Sequence, residues 1–182
     1  MTHLKYRVSY NHHAVSFYCS LTFLLLLYSQ HALSNPLTNL TQVGEAKLTV
    51  FFWDIYNSSL YSQNGIYAAD EFPQALKITY LRDISSKDLV KHTKEEWLKL
   101  GVPAEQIEEW LGALTDLFPD INKGDTLLLI VNQEKTSEFF LNDTSIGEIS
   151  DKEFGENFLK IWLDENASYP KVRNKLLGKS DN

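Results

Sequence analysis

Phe158-Leu-Lys-Ile-Trp-Leu-Asp-Glu-Asn-Ala-Ser-Tyr-Pro170, running on to Lys175-Leu-Leu-Gly178, is the stretch that decides the fold of this 182-residue chain. Its first half carries apolar residues at helical spacing, so it predicts the end of an amphipathic helix. Pro170 predicts the start of a short final helix, because proline is tolerated in a first turn, where its missing N–H is not needed. The stretch therefore predicts two consecutive helices at the end of a domain.

Two further segments precede this one in the chain. They are Val43-Gly-Glu-Ala-Lys-Leu-Thr-Val-Phe-Phe-Trp-Asp-Ile-Tyr56, continuing to Leu60-Tyr61, and Ala75-Leu-Lys-Ile-Thr-Tyr-Leu-Arg-Asp83. Together the three segments resemble the chalcone isomerase-like family, in the style of a bacterial exported branch. The resemblance implies an α+β fold, an open-faced β-sandwich in which an antiparallel sheet is backed by a layer of helices. That fold carries isomerases, fatty-acid-binding proteins and members with no known reaction, so it leaves the activity open.

Strand patterns occur in four segments. Residues 47–61 are rich in β-branched and aromatic residues and predict one long or bulged strand, or two short ones. Apolar and polar side chains alternate in residues 76–80, which is typical of a strand with one buried face. Residues 127–131 form a continuous apolar run that predicts a central strand, and residues 136–141 predict its neighbour beyond a turn. Strands, then helices, then a strand pair and more helices favour an α+β fold.

Helix starts are predicted by two capping-box spacings. The first joins Ser85 to Asp88 and predicts a helix to about Leu100. The second joins Ser150 to Glu153 and predicts a helix whose buried stripe contains Phe154, Phe158, Ile161 and Trp162. Between them, apolar residues at helical spacing predict another helix, with a stripe of Ile107, Trp110, Leu111, Leu114, Leu117 and Phe118.

Residues 1–34 predict an export signal. Lys5 and Arg7 supply its positive start, and residues 14–28 supply an apolar run shorter than the about 20 residues that a membrane-spanning helix needs. Small residues at 32–34 suit cleavage before Asn35. We therefore expect a periplasmic or secreted protein, a single domain over residues 35–182, and no stable membrane insertion after cleavage.

Composition narrows the classes of function. The chain has 17 basic and 24 acidic side chains, a net charge of −7, and loss of Lys5 and Arg7 would make it more negative. Such a surface disfavours nucleic acid and anionic membranes as partners. Cys19 lies in the predicted signal, and His92 is the one histidine beyond it. Cysteine nucleophiles, zinc sites and charge-relay triads are therefore poorly supported, and we expect no metal and no cofactor.

The resemblance also indicates candidate ligand-binding residues. In plant chalcone isomerases an arginine and a threonine of the first core strand hold and polarise the substrate, and in the related fatty-acid-binding proteins an arginine and a tyrosine hold the carboxylate. Matching the sequences places Tyr56 at the position of that threonine or tyrosine. Lys47 is nearest the position of the arginine, with Thr49 on the same strand face. Lysine cannot make the two-point contact of a guanidinium. Tyr80 and Arg82 complete the predicted site.

Three functions remain open from the sequence. The leading one is binding of a small lipophilic ligand, such as a fatty acid, between the sheet and its helices, because such a pocket needs apolar walls and few polar anchors. Aromatic side chains could supply those walls, namely Trp53, Tyr56, Tyr61, Tyr80, Trp110 and Trp162. The alternatives are an isomerase or intramolecular lyase of the chalcone isomerase type, and a non-catalytic accessory protein that binds another protein.

Overall fold

The computed structural model describes residues 36–179, whose strands form one six-stranded sheet. The strands are β1 Thr41–Val50, β2 Trp53–Ser62, β3 Gln74–Tyr80, β4 Thr126–Val131, β5 Ser137–Leu141 and β6 Thr144–Ile149. Each pairs antiparallel with the next, so the order in the sheet is the order in the chain. The helices are α1 Ser86–Lys99 and α2 Ala104–Leu117 between β3 and β4, then α3 Phe154–Leu163 and α4 Pro170–Leu176 after β6. The predicted α+β fold is confirmed.

Alternation along the strands gives the sheet one apolar face. Its buried side chains include Ala46, Leu48, Tyr56, Leu60, Leu76, Ile78, Tyr80, Leu127 and Leu129. The helices cover this face, and α4 packs against β1 and β2. Close approach there depends on Gly44, since a Cβ at this position would collide with the carbonyl oxygens of Lys175 and Leu176. Each large apolar side chain buried between the layers stabilises the fold by about 1.5 to 3 kcal/mol.

An aromatic cluster fills one part of the space between the layers. Trp97, Trp110 and Phe158 meet Phe154 and Phe139 mostly edge to face, with ring centroids 5.3–6.2 Å apart. The indole N–H of Trp97 donates to the carbonyl of Asn157 at 3.0 Å. Rigid packing of these rings holds α1, α2 and α3 to one another and to β5.

The segment predicted as one bulged strand or two short strands is a hairpin of two long strands. β1 and β2 meet at Phe51 and Phe52, with Val50 paired to Trp53. Phe51 has φ 54°, and the two phenylalanine side chains are 91% and 96% exposed. Two-residue hairpin turns favour Asn and Gly because they require positive φ. Phenylalanine is not a turn signal, so the sequence pattern did not locate this turn.

Strand β6 was missed by the sequence interpretation. The turn before it, at Asn142 and Asp143, was predicted, and both residues have positive φ, as a tight hairpin turn requires. β6 lies at the edge of the sheet and buries fully only Ile149. An edge strand with one buried side chain carries little periodic signal.

The two predicted capping boxes have different outcomes. The Ser85 hydroxyl accepts the backbone N–H of Asp88 at 3.1 Å, so the start of α1 is confirmed. The box at Ser150 is wrong, because α3 begins at Phe154 without a side-chain cap. Asp151 accepts the Glu153 N–H at 2.8 Å and the indole N–H of Trp110 at 2.8 Å instead, so it joins the start of α3 to α2.

Within residues 36–179, no helix is long and apolar enough to cross a membrane. The predicted export signal, residues 1–34, lies outside the described residues. Its cleavage stays a prediction.

Candidate functional site

A cavity of about 350 Å³ lies between the apolar face of the sheet and the helices. Its sheet wall is formed by Leu48, Val50, Ile55, Tyr56, Ile78, Tyr80 and Leu127. Its helical wall is formed by residues of α1, α3 and α4 and of the segment between α3 and α4, among them Leu89, Phe158, Ile161, Trp162, Ala167 and Val172. Both walls are largely apolar, and the volume falls within the range of about 300 to 1,000 Å³ typical of small-molecule sites.

Two tyrosines supply the hydroxyl groups of the sheet wall. Tyr56 and Tyr80 are cross-strand partners on β2 and β3, with ring centroids 6.2 Å apart in an edge arrangement. The Tyr56 hydroxyl accepts the indole N–H of Trp162 at 2.8 Å, which fixes its position against α3. The Tyr80 side chain is 5% exposed, and its hydroxyl makes no hydrogen bond with any residue of the described range. The sheet wall of the cavity therefore contains one anchored phenol and one free phenol, and Tyr169 lines the helical side.

Both phenols are neutral at neutral pH, and burial extends that state to higher pH. Loss of hydration raises the pKa of Tyr56 and the pKa of Tyr80 above the ordinary value of 10.0. For Tyr56 the hydrogen bond from Trp162 opposes that effect and is the smaller one. At neutral pH each hydroxyl can donate a hydrogen bond to a ligand, and neither is suited to act as a base.

Further polar groups of the cavity lining lie on α1. Glu96 accepts the hydroxyl of Ser168 at 2.6 Å and the ammonium of Lys99 at 2.7 Å. His92 lines the cavity on the same helix, with its side chain mostly exposed and Nδ1 3.2 Å from Glu95. Among the lining residues there is an acid, Glu96, and no lysine or arginine.

Lys47 and Thr49, predicted as site residues, lie on the opposite face of the sheet. They alternate along β1 with Leu48, which lines the cavity. Lys47 pairs with Asp54 at 2.9 Å, and Thr49 donates to the same carboxylate at 2.7 Å. These bonds, first that of Thr49 and then that of Lys47, lower the pKa of Asp54. Because side chains of a strand alternate, a shift of one residue in the family match exchanges the two faces.

Arg82 also lies outside the cavity lining. Its guanidinium is stacked over the ring of Trp53 at 5.4 Å, on the exposed side of the hairpin. The structure thus brings Tyr56 and Tyr80 together in the cavity and does not bring Lys47, Thr49 or Arg82 to them. Among the described residues, no lysine or arginine lines the cavity. A role of these residues in ligand binding stays a prediction that this geometry does not support.

Of the other aromatic residues predicted for the cavity wall, one lines the cavity and three lie elsewhere. Trp162 lines the cavity, whereas Trp53 is exposed beside the hairpin turn. Tyr61 follows the buried Leu60 on β2 and lies on the opposite face. Trp110 belongs to the aromatic cluster, where its indole N–H is bound by Asp151.

No cluster of metal-ligating side chains was found among residues 36–179. There, no group of three or more His, Cys, Asp or Glu side chains is placed to hold a metal ion. The polar groups that line the cavity are its hydroxyls, His92 and Glu96.

A model of the chalcone isomerase-like family matches residues 34–178. The chain belongs to the chalcone isomerase-like family. An uncharacterised protein of Haemophilus influenzae is 29% identical to it over 145 residues, which cover 80% of this chain and 71% of that protein.

The fold of this chalcone isomerase-like protein is shared with a plant protein. The crystal structure of a fatty-acid binding protein of Arabidopsis thaliana matches it with a TM-score of 0.63, over 77% of this chain and 87% of the plant chain. The two are 12% identical, so the likeness shows a common fold.

The sequence interpretation of this family member missed the α1 side of the cavity. Leu89, His92, Thr93 and Glu96 all line it. Their spacing of three and four residues places them on one face of the helix. That spacing was available in the sequence, but polar residues on an otherwise solvated helix are not distinguished from surface residues by pattern alone.

Proposed function

We propose that this protein binds a small lipophilic ligand in the cavity between the sheet and the helices. The observation that carries the proposal is the cavity of about 350 Å³ with largely apolar walls and two neutral phenols. Burial of an apolar ligand surface would contribute about 25 cal/mol per Å². The hydroxyls would orient the ligand, as a few polar groups do in most small-molecule sites.

The same cavity favours binding over catalysis of the chalcone isomerase type. Such a reaction requires stabilisation of a developing negative charge, for which cations and preorganised donors are the usual groups. The lining residues include Glu96 and no lysine or arginine. The Arabidopsis neighbour is a fatty-acid binding protein, which agrees with the proposal. At 12% identity, that likeness does not assign the same ligand to this chain.

We further propose that the protein acts in the periplasm or outside the cell. The proposal is supported by the pattern of residues 1–34 and by the family match, which begins at residue 34. N-terminal sequencing of the protein from its native host should find Asn35 as the first residue. Full-length chain recovered from the cytoplasm would contradict export.

Ligand binding is tested with the mature protein, residues 35–182. Mass spectrometry of its organic extract should identify a lipophilic molecule, and titration with the uncharged dye Nile red should be saturable. Leu89→Trp would fill part of the cavity and should weaken dye binding by about tenfold or more. Leu98→Trp is the matched control on α1, because Leu98 is exposed and outside the lining. Equal dye affinity in the two variants would show that the dye does not bind in the cavity, which would contradict the proposal.

A further inference from the structure

We infer that the cavity selects an uncharged lipophile with a hydrogen-bond acceptor oxygen, such as a ketone or an ester, and that the Tyr80 hydroxyl donates to that oxygen. The inference rests on the proposed function and adds the chemical class of the ligand head. It follows from the hydrogen bonding of the two phenols and from the charges of the lining.

The Tyr80 side chain lines the cavity, and its hydroxyl makes no hydrogen bond within residues 36–179. A hydroxyl that opens into a largely apolar cavity and has no protein partner gains a hydrogen bond when a ligand acceptor reaches it. Tyr80 is surrounded by apolar wall residues such as Ile78 and Leu127 and lines the cavity. Within residues 36–179 no acceptor reaches its hydroxyl. A ligand acceptor in the cavity would satisfy it.

Tyr56 has a different position in the same wall. Its oxygen already accepts the Trp162 indole N–H, so the Tyr56 ring is held in place whether or not a ligand is bound. Its own O–H proton remains available as a second donor. Phenol groups that present donors favour an acceptor in the ligand, such as a carbonyl oxygen.

The charges of the lining argue against an ionised head. An isolated carboxylate is far costlier to bury than a carbonyl unless a cation or several donors compensate it. The lining contains Glu96 and no lysine or arginine. Lys99 on α1 lies outside the lining and is already bonded to Glu96. Lys47 is paired with Asp54 on the opposite face, so it too is unavailable to a ligand in the cavity.

The inference is tested with four ligands of similar chain length, namely 2-tridecanone, methyl dodecanoate, dodecanoate and dodecane. Affinities for the mature protein are measured by displacement of Nile red at about pH 8, where a carboxylic acid with an ordinary pKa near 4 to 5 is ionised. The ketone and the ester should bind about tenfold or more tightly than dodecanoate. The affinities of the ketone and the ester should exceed that of dodecane by about threefold to tenfold, as expected for one neutral hydrogen bond.

Tyr80→Phe removes the hydroxyl and keeps the ring. It should weaken ketone binding by about threefold to tenfold and leave dodecane binding unchanged. Tyr61→Phe is the matched control, because Tyr61 lies on the other face of the sheet and should alter neither affinity.

The possible outcomes separate the inference from the proposed function. Dodecanoate binding more tightly than the ketone and the ester would overturn the inference, while its saturable binding would keep the proposed function. Equal losses for ketone and dodecane in Tyr80→Phe would also overturn it, since the hydroxyl would then act through packing. Absence of saturable binding for Nile red and all four ligands would overturn the proposed function and the inference with it.

Discussion

At the scale of single residues, the neutral state of Tyr56 and Tyr80 gives a prediction on alkaline stability. Burial raises the pKa of both phenols in the folded protein, whereas the unfolded chain ionises near the ordinary value of 10.0. Above that pH the unfolded state binds fewer protons than the folded state, so stability falls as pH rises. Each phenol should contribute a fall approaching about 1.4 kcal/mol per pH unit.

Denaturant unfolding at about pH 9, 10 and 11 measures this effect, since those values span the ordinary tyrosine pKa. Tyr80→Phe should show a smaller fall in the free energy of unfolding between the last two values than the unmodified protein. Identical slopes for the two proteins would show that Tyr80 ionises as readily in the folded state as in the unfolded one.

Ser137 is another buried hydroxyl whose contacts predict an unusual result. It is fully buried, and its Oγ has no hydrogen-bond partner among residues 36–179. Ser58 is equally buried, but its Oγ donates to the carbonyl of Ala46 at 3.2 Å. Ser58→Ala should lower the free energy of unfolding by about 1 kcal/mol, whereas Ser137→Ala should leave it unchanged or raise it. A loss in Ser137→Ala as large as in Ser58→Ala, by urea unfolding, would contradict this account.

At the scale of elements, the contact of α3 with the sheet depends on Gly155. A Cβ there would collide with the Ser137 hydroxyl and the methyl groups of Val131. Gly155→Ala should therefore lower the free energy of unfolding by about 1 to 3 kcal/mol. It should also weaken Nile red binding, because α3 carries Phe158 and Trp162 of the cavity wall.

Gly112 is the matched control for that substitution. It lies in α2, where an added Cβ meets no atom within 4 Å. Gly112→Ala should raise the free energy of unfolding by up to about 1 kcal/mol, the difference in helix propensity between the two residues. The same change in stability for both variants would show that α3 adapts to the additional methyl group.

The two predicted helix caps show when a local sequence pattern is enough to locate the start of a helix. The start of α1 was predicted because Ser85 and Asp88 form a local hydrogen-bonded cap that needs no distant partner. The cap predicted at Ser150 failed because Asp151 bonds to Trp110 of another helix. A pattern of four residues cannot include a partner from a distant part of the chain.

At the scale of the whole molecule, the cavity predicts weak or absent chalcone cyclisation. Loss of one preorganised donor to a developing oxyanion typically costs about 10²- to 10³-fold in rate. The lining contains no lysine or arginine to stabilise that charge, and the carboxylate of Glu96 disfavours it. Turnover of naringenin chalcone, followed by absorbance, should match the reaction without protein. A rate far above that reaction, abolished by Tyr56→Phe, would establish the isomerase alternative.

The sequence by itself determined the α+β class, the family, most of the helices and the two tyrosines of the sheet wall of the cavity. These features depend on local periodicity, on caps and on similarity along the chain. Tyr80 was predicted because it continues the alternation of Leu76 and Ile78 on β3, and all three lie on the buried face.

Only the tertiary structure decided which charged and polar groups reach the cavity. Lys47 and Leu48 are adjacent in sequence, but the hairpin turn at Phe51 and Phe52 and the pairing of β1 with β2 direct Leu48 to the cavity and Lys47 to Asp54. Glu96 enters the lining because α1 packs over that face. The physical reason is that a strand alternates its faces at every residue, so the long-range pairing and packing of the elements select the side chains that meet a ligand.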